Sequence, residues 1–111
     1  MKKSFIAGFT MILLSWQAQA ASDEQLSSIK QLGQLNGVAL HCKALEETQR
    51  MKRAMVLNLP KLQQLGELFD HETNDSFLKF ISARSTCPSP ADLTSQVDGA
   101  IKQLQQVFTV Q

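Results

Sequence analysis

The sequence predicts an all-α fold, a small four- to five-helix bundle closed by one disulfide. Three observations carry that prediction. Apolar residues recur at intervals of three and four between Leu26 and Phe108, and no stretch alternates as a strand would. Helix start and stop signals punctuate the chain at Ser22–Gln25, Asn58–Pro60 and Ser85–Pro90. The two cysteines, Cys42 and Cys87, lie 45 positions apart and bracket the middle of the chain.

The chain opens on Met1-Lys2-Lys3, runs through an apolar stretch from Phe5 to Leu14 and reaches Ala18-Gln19-Ala20, the small-x-small form read by signal peptidase. Residues 1–20 therefore read as a secretory signal peptide and residues 21–111 as a single helical domain. The apolar stretch is shorter than the roughly 20 residues a membrane-spanning helix needs, so no stable membrane insertion is expected after cleavage. No cysteine follows the small residues, so no lipid-modified N-terminus is expected either. The leader has a bacterial form, and the expected destination is the periplasm or the medium outside the cell.

Ser22-Asp23-Glu24-Gln25 is a capping box, and Leu26, Ile29 and Leu32 follow at helical spacing. The first helix is expected to reach Gly33 or Leu35 and to break at Asn36-Gly37, a turn signal. The alternative places Gly33 and Gly37, four apart, on one face of a longer helix packed closely on a neighbour. A second helix is expected from Val38 to Leu57. Helical spacing puts Val38, Leu40, Cys42, Ala44, Leu45, Thr48, Met51, Met55 and Val56 on its apolar arc, with Lys43, Glu46, Glu47, Arg50 and Arg53 opposite. On that arc Cys42 faces the core, Glu46 can pair with Arg50 one turn on, and Lys52 must snorkel or find a carboxylate.

Asn58-Leu59-Pro60 stops the second helix, and Leu62, Leu65, Leu68 and Phe69 mark a short third one. Gly66 inside it suggests close packing or early termination. The polar run Asp70 to Ser76 is expected to be a turn, with Thr73 or Asn74 capping a helix that starts near Asp75 and buries Phe77, Leu78, Phe80 and Ile81. Ser85-Thr86-Cys87-Pro88-Ser89-Pro90 stops that helix and starts the last, with Ser89 as N-cap and Pro90 in the first helical position. Leu93, Val97, Ala100, Ile101, Leu104 and Phe108 form the cleanest apolar stripe in the chain.

Composition bounds the function. Loss of Lys2 and Lys3 with the signal leaves nine basic residues against 10 acidic, a formal charge of −1. A near-neutral exported chain is poorly suited to neutralising phosphates, so no nucleic-acid partner is expected. The chain has no Tyr, and its one Trp, Trp16, lies in the signal, which argues against stacking platforms for sugars or bases. Two cysteines in an oxidising compartment allow one intramolecular pairing, and a small domain gains from such a staple. Their separation is unlike the Cys-x-x-Cys of redox-active pairs, so the expected disulfide is structural.

No cofactor, metal or catalytic motif is present. His41 beside Cys42 loses its potential thiolate partner to the disulfide. His71 sits among Glu67, Asp70, Glu72 and Asp75, but the spacing is neither an EF-hand nor a zinc signature. What remains as a possible partner surface is the basic side of the second helix, Lys43, Arg50 and Arg53, and the acidic turn with Asp70, His71, Glu72 and Asp75. The expected function is that of an exported, non-enzymatic helical protein that binds another protein, its identity unspecified. In size and architecture alone, such a chain is similar to type II secretion pilotins and to immunity proteins that neutralise delivered effectors. Two alternatives are a periplasmic stress or holdase chaperone and a small hydrolase or ligand carrier, the last of which requires a deep pocket within the bundle.

Overall fold

A computed structural model describes residues 20–109, so the stretch read as an export signal lies outside the described residues, apart from Ala20. Four helices follow in order: α1 Asp23–His41, α2 Leu45–Asn58, α3 Gln63–Ser82 and α4 Pro90–Thr109. The all-α bundle closed by one disulfide is the observed architecture, with Cys42 and Cys87 joined and their Cα atoms 5.8 Å apart.

The helices alternate in direction. Gln25 on α1 donates to the Val107 carbonyl near the end of α4, so these two run antiparallel. Asn36 meets Thr73, and His41 meets Phe77 and Phe80, so α1 and α3 run parallel. Arg50 and Glu47 meet Asp98 and Thr94, which sets α2 parallel to α4. Ile29, Leu32, Ala39, Met51, Ala54, Leu93, Val97, Ala100, Leu104 and Phe108 fill the buried centre, and Leu65 and Phe69 bring α3 to it. The stripe predicted for α4 is the one buried, with Ile101 at its edge, and Ser89 Oγ accepts from the Asp92 N–H as its cap. The capping box at Ser22 is present in both directions.

The first break falls later than expected. α1 runs unbroken through Asn36-Gly37, because tertiary contact overrides the local turn preference: both glycines and Asn36 are buried against α3. The helix ends instead at His41 with Cys42 as its cap, and Lys43 takes a left-handed conformation at φ 61°. Ala44 N–H bonds the Ala39 carbonyl and Lys43 N–H bonds that of Leu40, which is a Schellman closure made without glycine. Cys42 is therefore a half-buried cap and not part of a helical arc. Since α2 starts only at Leu45, its buried stripe is the narrow set Glu47, Thr48, Met51 and Ala54, while Leu45, Lys52 and Val56 point to solvent.

The expected acidic turn is also helical. α3 continues from Gln63 to Ser82 through Asp70–Ser76, merging the expected third and fourth helices. Thr73 donates to the Phe69 carbonyl one turn back and accepts from the Asn36 side-chain amide, so its polar group is satisfied inside the helix contact. Leu78 and Ile81, expected to be buried, are exposed. α3 then ends as α1 does, with Arg84 at φ 52° and bonds from Arg84 to Ile81 and from Ser85 to Phe80.

Candidate partner-binding groove

Gly33 and Gly37 set how closely α3 approaches. A Cβ at Gly37 would lie 2.6 Å from the Thr73 carbonyl oxygen and 2.8 Å from the Phe77 nitrogen; one at Gly33 would lie 2.7 Å from the Glu72 Cβ. The two backbones meet where both side chains are missing, and polar bonds complete the seam. Asn36 Nδ2 donates to Thr73 Oγ1 at 3.1 Å, and Ser76 Oγ donates to the Gln34 carbonyl at 2.7 Å. Gln34 reaches Glu72 at 3.5 Å.

α1 is the one helix with which α3 makes extended contact, whereas α2 and α4 pack on α1 and on each other. The space between α3 and α4 is consequently an open groove of about 710 Å³ with α1 beneath it. Leu35 and Val38 from α1, Phe80 from α3 and Ala100 from α4 supply its apolar surface. Glu72, Asp75 and Lys79 stand on the α3 side, with Asp75 and Lys79 paired at 3.2 Å; Ser95, Gln96 and Gly99 form the α4 side. An apolar floor with polar rims suits the side of an amphipathic helix.

The expected site residues divide between two sides of the molecule. Glu72 and Asp75 line the groove, while Asp70 and His71 are exposed on α3 outside it. Lys43 and Arg53 are exposed with α2. Arg50 reaches across to α4: its guanidinium bonds Asp98 there and meets Glu47 at 2.6 Å, and Thr94 donates to the Glu47 carboxylate at 2.8 Å. The hydrogen bond to Asp98 is the main cause of a raised Arg50 pKa, which burial opposes and the charge of Glu47 reinforces. Glu46 is thus replaced by Glu47 as the partner of Arg50, and the basic face is reduced by one cation.

His41 packs against Phe77 and Phe80, with ring centroids 5.7 and 5.0 Å away. Among the described residues no group of His, Cys, Asp and Glu has the arrangement to hold a metal ion. Nor is any described helix long and apolar enough to cross a membrane. A second depression of about 640 Å³ lies beside the disulfide, lined by Cys42, Leu45, Glu47, Cys87 and Leu93. Gln31, Leu35, Val38 and Gln96 were not singled out by sequence as site residues, because the groove arises from the contact α3 lacks. The Gly33-x-x-x-Gly37 spacing was the one signal that pointed to it. No protein-family model, no curated protein and no solved structure matches this chain.

Proposed function

We propose that this is an exported, non-enzymatic protein of the periplasm that binds a partner protein, seating a helix of that partner in the groove between α3 and α4. The single observation that carries the reading is that α3 makes extended contact with α1 and no such contact with α4, which leaves an apolar, polar-rimmed groove open along the bundle. The leader-like N-terminus and the disulfide support the compartment. A secretion or envelope accessory factor and an effector-neutralising immunity protein are the roles such a groove serves. The depressions support this over a ligand carrier, since they are surface grooves rather than a deep pocket inside the core.

Gly99 provides the test, because a Cβ there meets nothing within 4 Å and the residue borders the groove. A photo-crosslinking residue at Gln96 should give a discrete periplasmic adduct. The same residue at Lys102, which does not line the groove, should give none, and Gly99→Leu should abolish the Gln96 adduct by occupying the groove. Equal adducts at both positions, no adduct at Gln96, or an adduct that survives Gly99→Leu would overturn the reading.

A further inference from the structure

Residues 50–66 contain four cations and no acid. Arg50 is committed to Glu47 and Asp98, but Lys52, Arg53 and Lys61 are exposed and, among the described residues, take part in no ion pair. In the same segment Val56 and Leu57 are 69% and 74% exposed, and Leu62 is 47% exposed. Placed at 100° per residue, Lys52, Arg53, Val56 and Leu57 fall within a sector of roughly 140° facing away from Met51 and Ala54. Cations and aliphatic tips therefore share the outer side of the last turns of α2, and the apolar surface continues into a cleft of about 480 Å³ lined by Met55, Leu59, Leu62 and Leu65 with Lys61 beside it.

Among the described residues no acid forms an ion pair with this end: Glu46 shares the outward sector of α2 but stands nearly two turns before Arg53, Glu67 follows Gly66 on α3, and Asp23 and Glu24 line a separate depression with Ser28 and Gln103 between α1 and α4. We infer that the α2–α3 end of the bundle docks on an anionic phospholipid surface, with Val56, Leu57 and Leu62 entering the interface and Lys52, Arg53 and Lys61 meeting lipid phosphates. The charge is complementary to such a surface, and the aliphatic side chains project outward from a helix end, a shape that meets a deformable plane rather than filling a partner's groove. This surface lies on α2 and the α2–α3 connection, outside the α3–α4 groove, and its binding does not depend on the groove having an occupant.

The test is co-sedimentation of the disulfide-intact protein, without residues 1–20, with vesicles of phosphatidylcholine alone or of equal parts phosphatidylcholine and phosphatidylglycerol. Sedimentation with the mixed vesicles only, weakened by salt and not competed by inorganic phosphate, is the expected result. Val56→Ser with Leu57→Ser should weaken it about tenfold or more, and Lys52→Glu with Arg53→Glu should abolish it. All four side chains are exposed, so circular dichroism should show an unchanged helical fold. Absence of binding to the mixed vesicles, or binding indifferent to both double variants, would overturn the inference. If wild-type protein ignores vesicles while Lys52→Glu with Arg53→Glu removes a protein adduct, the surface belongs to a protein partner and the lipid assignment is wrong.

Discussion

Replacing Gly37 by alanine should destabilise the protein, although alanine is the better helix former. The new Cβ would stand 2.6 Å from the Thr73 carbonyl oxygen, 2.7 Å from the Ser76 Cβ and 2.8 Å from the Phe77 nitrogen. Two of these three atoms are backbone, so no rotamer change relieves the contact. Restoring the shortest of them to an ordinary 3.4 Å requires α1 and α3 to part by about 0.8 Å. Overpacking of this kind costs about 1–3 kcal/mol, against a propensity gain of about 1 kcal/mol. The clash involves three atoms at once, so the upper part of that range applies and a net loss of about 1–2 kcal/mol is expected. Gly66 supplies the control: it is also helical and interior, yet a Cβ there meets nothing within 4 Å, so Gly66→Ala should stabilise by about 1 kcal/mol. Urea denaturation followed by far-ultraviolet circular dichroism measures both, and their midpoints should move in opposite directions. A Gly37→Ala protein as stable as Gly66→Ala would refute the close approach of α1 and α3.

Reduction of the Cys42–Cys87 bond, or Cys42→Ser with Cys87→Ser, should lower stability by up to about 4 kcal/mol, seen as a urea midpoint that becomes independent of reductant in the double variant. Thr73→Val removes the acceptor of the Asn36 amide, whose carbonyl oxygen is already unpaired, and should cost about 1–3 kcal/mol; a double-mutant cycle with Asn36→Ala should show strong coupling. Arg50→Met should cost about 1 kcal/mol, because Glu47 keeps the Thr94 hydroxyl but loses its cation. Since the Arg50 pKa is raised in the folded state, its contribution is fully present below the ordinary arginine value and should be lost only at higher pH, so the Arg50→Met difference should be constant from pH 7 to about pH 10. Arg84→Gly should stabilise by about 1 kcal/mol by removing a side chain from a left-handed conformation, measured by the same unfolding assay.

Where local chemistry and burial agree, the sequence is readable. Ser22 with Gln25 and Ser89 with Pro90 cap the helices they promise, and Leu93, Val97, Ala100, Leu104 and Phe108 are all buried at their helical spacing. Illegibility begins where a distant partner settles a local ambiguity. Asn36-Gly37 and Thr73-Asn74 are each turn formers alone, but Asn36 and Gly37 meet Thr73 across the α1–α3 seam, and both helices run on through it. The end of α1 carries no glycine or proline to announce it, because Lys43 adopts the left-handed conformation itself. That seven-residue delay took Val38, Leu40 and Cys42 out of the second helix, and although Thr48 and Met51 are buried and Glu46 and Arg53 exposed as expected, Arg50 and Glu47 form a polar link with α4 instead of a solvated face. The groove was harder still, since it is defined by an extended contact that α3 does not make with α4.

The groove is held at two places that differ in kind. At one end the Schellman closures of α1 and α3 lie near the disulfide, and Cys87 is three residues before Pro90, so α1, α3 and the start of α4 are covalently gathered. Farther down, α3 is held chiefly by its α1 face, through the glycine seam and Asn36 with Thr73, and by Leu65 and Phe69, which enter the shared core, Leu65 beside Met55 and Leu59. Widening the groove therefore requires α3 to move about its α1 seam and leaves the α1–α2–α4 core in place. Gly99→Leu and Gly37→Ala then act on the same space in opposite ways, the first occupying it from the α4 wall and the second pushing the α3 wall outward. A partner that recognises the apolar floor of Leu35, Val38, Phe80 and Ala100 loses affinity to the first substitution alone, whereas one matched to the present spacing of both walls loses affinity to each.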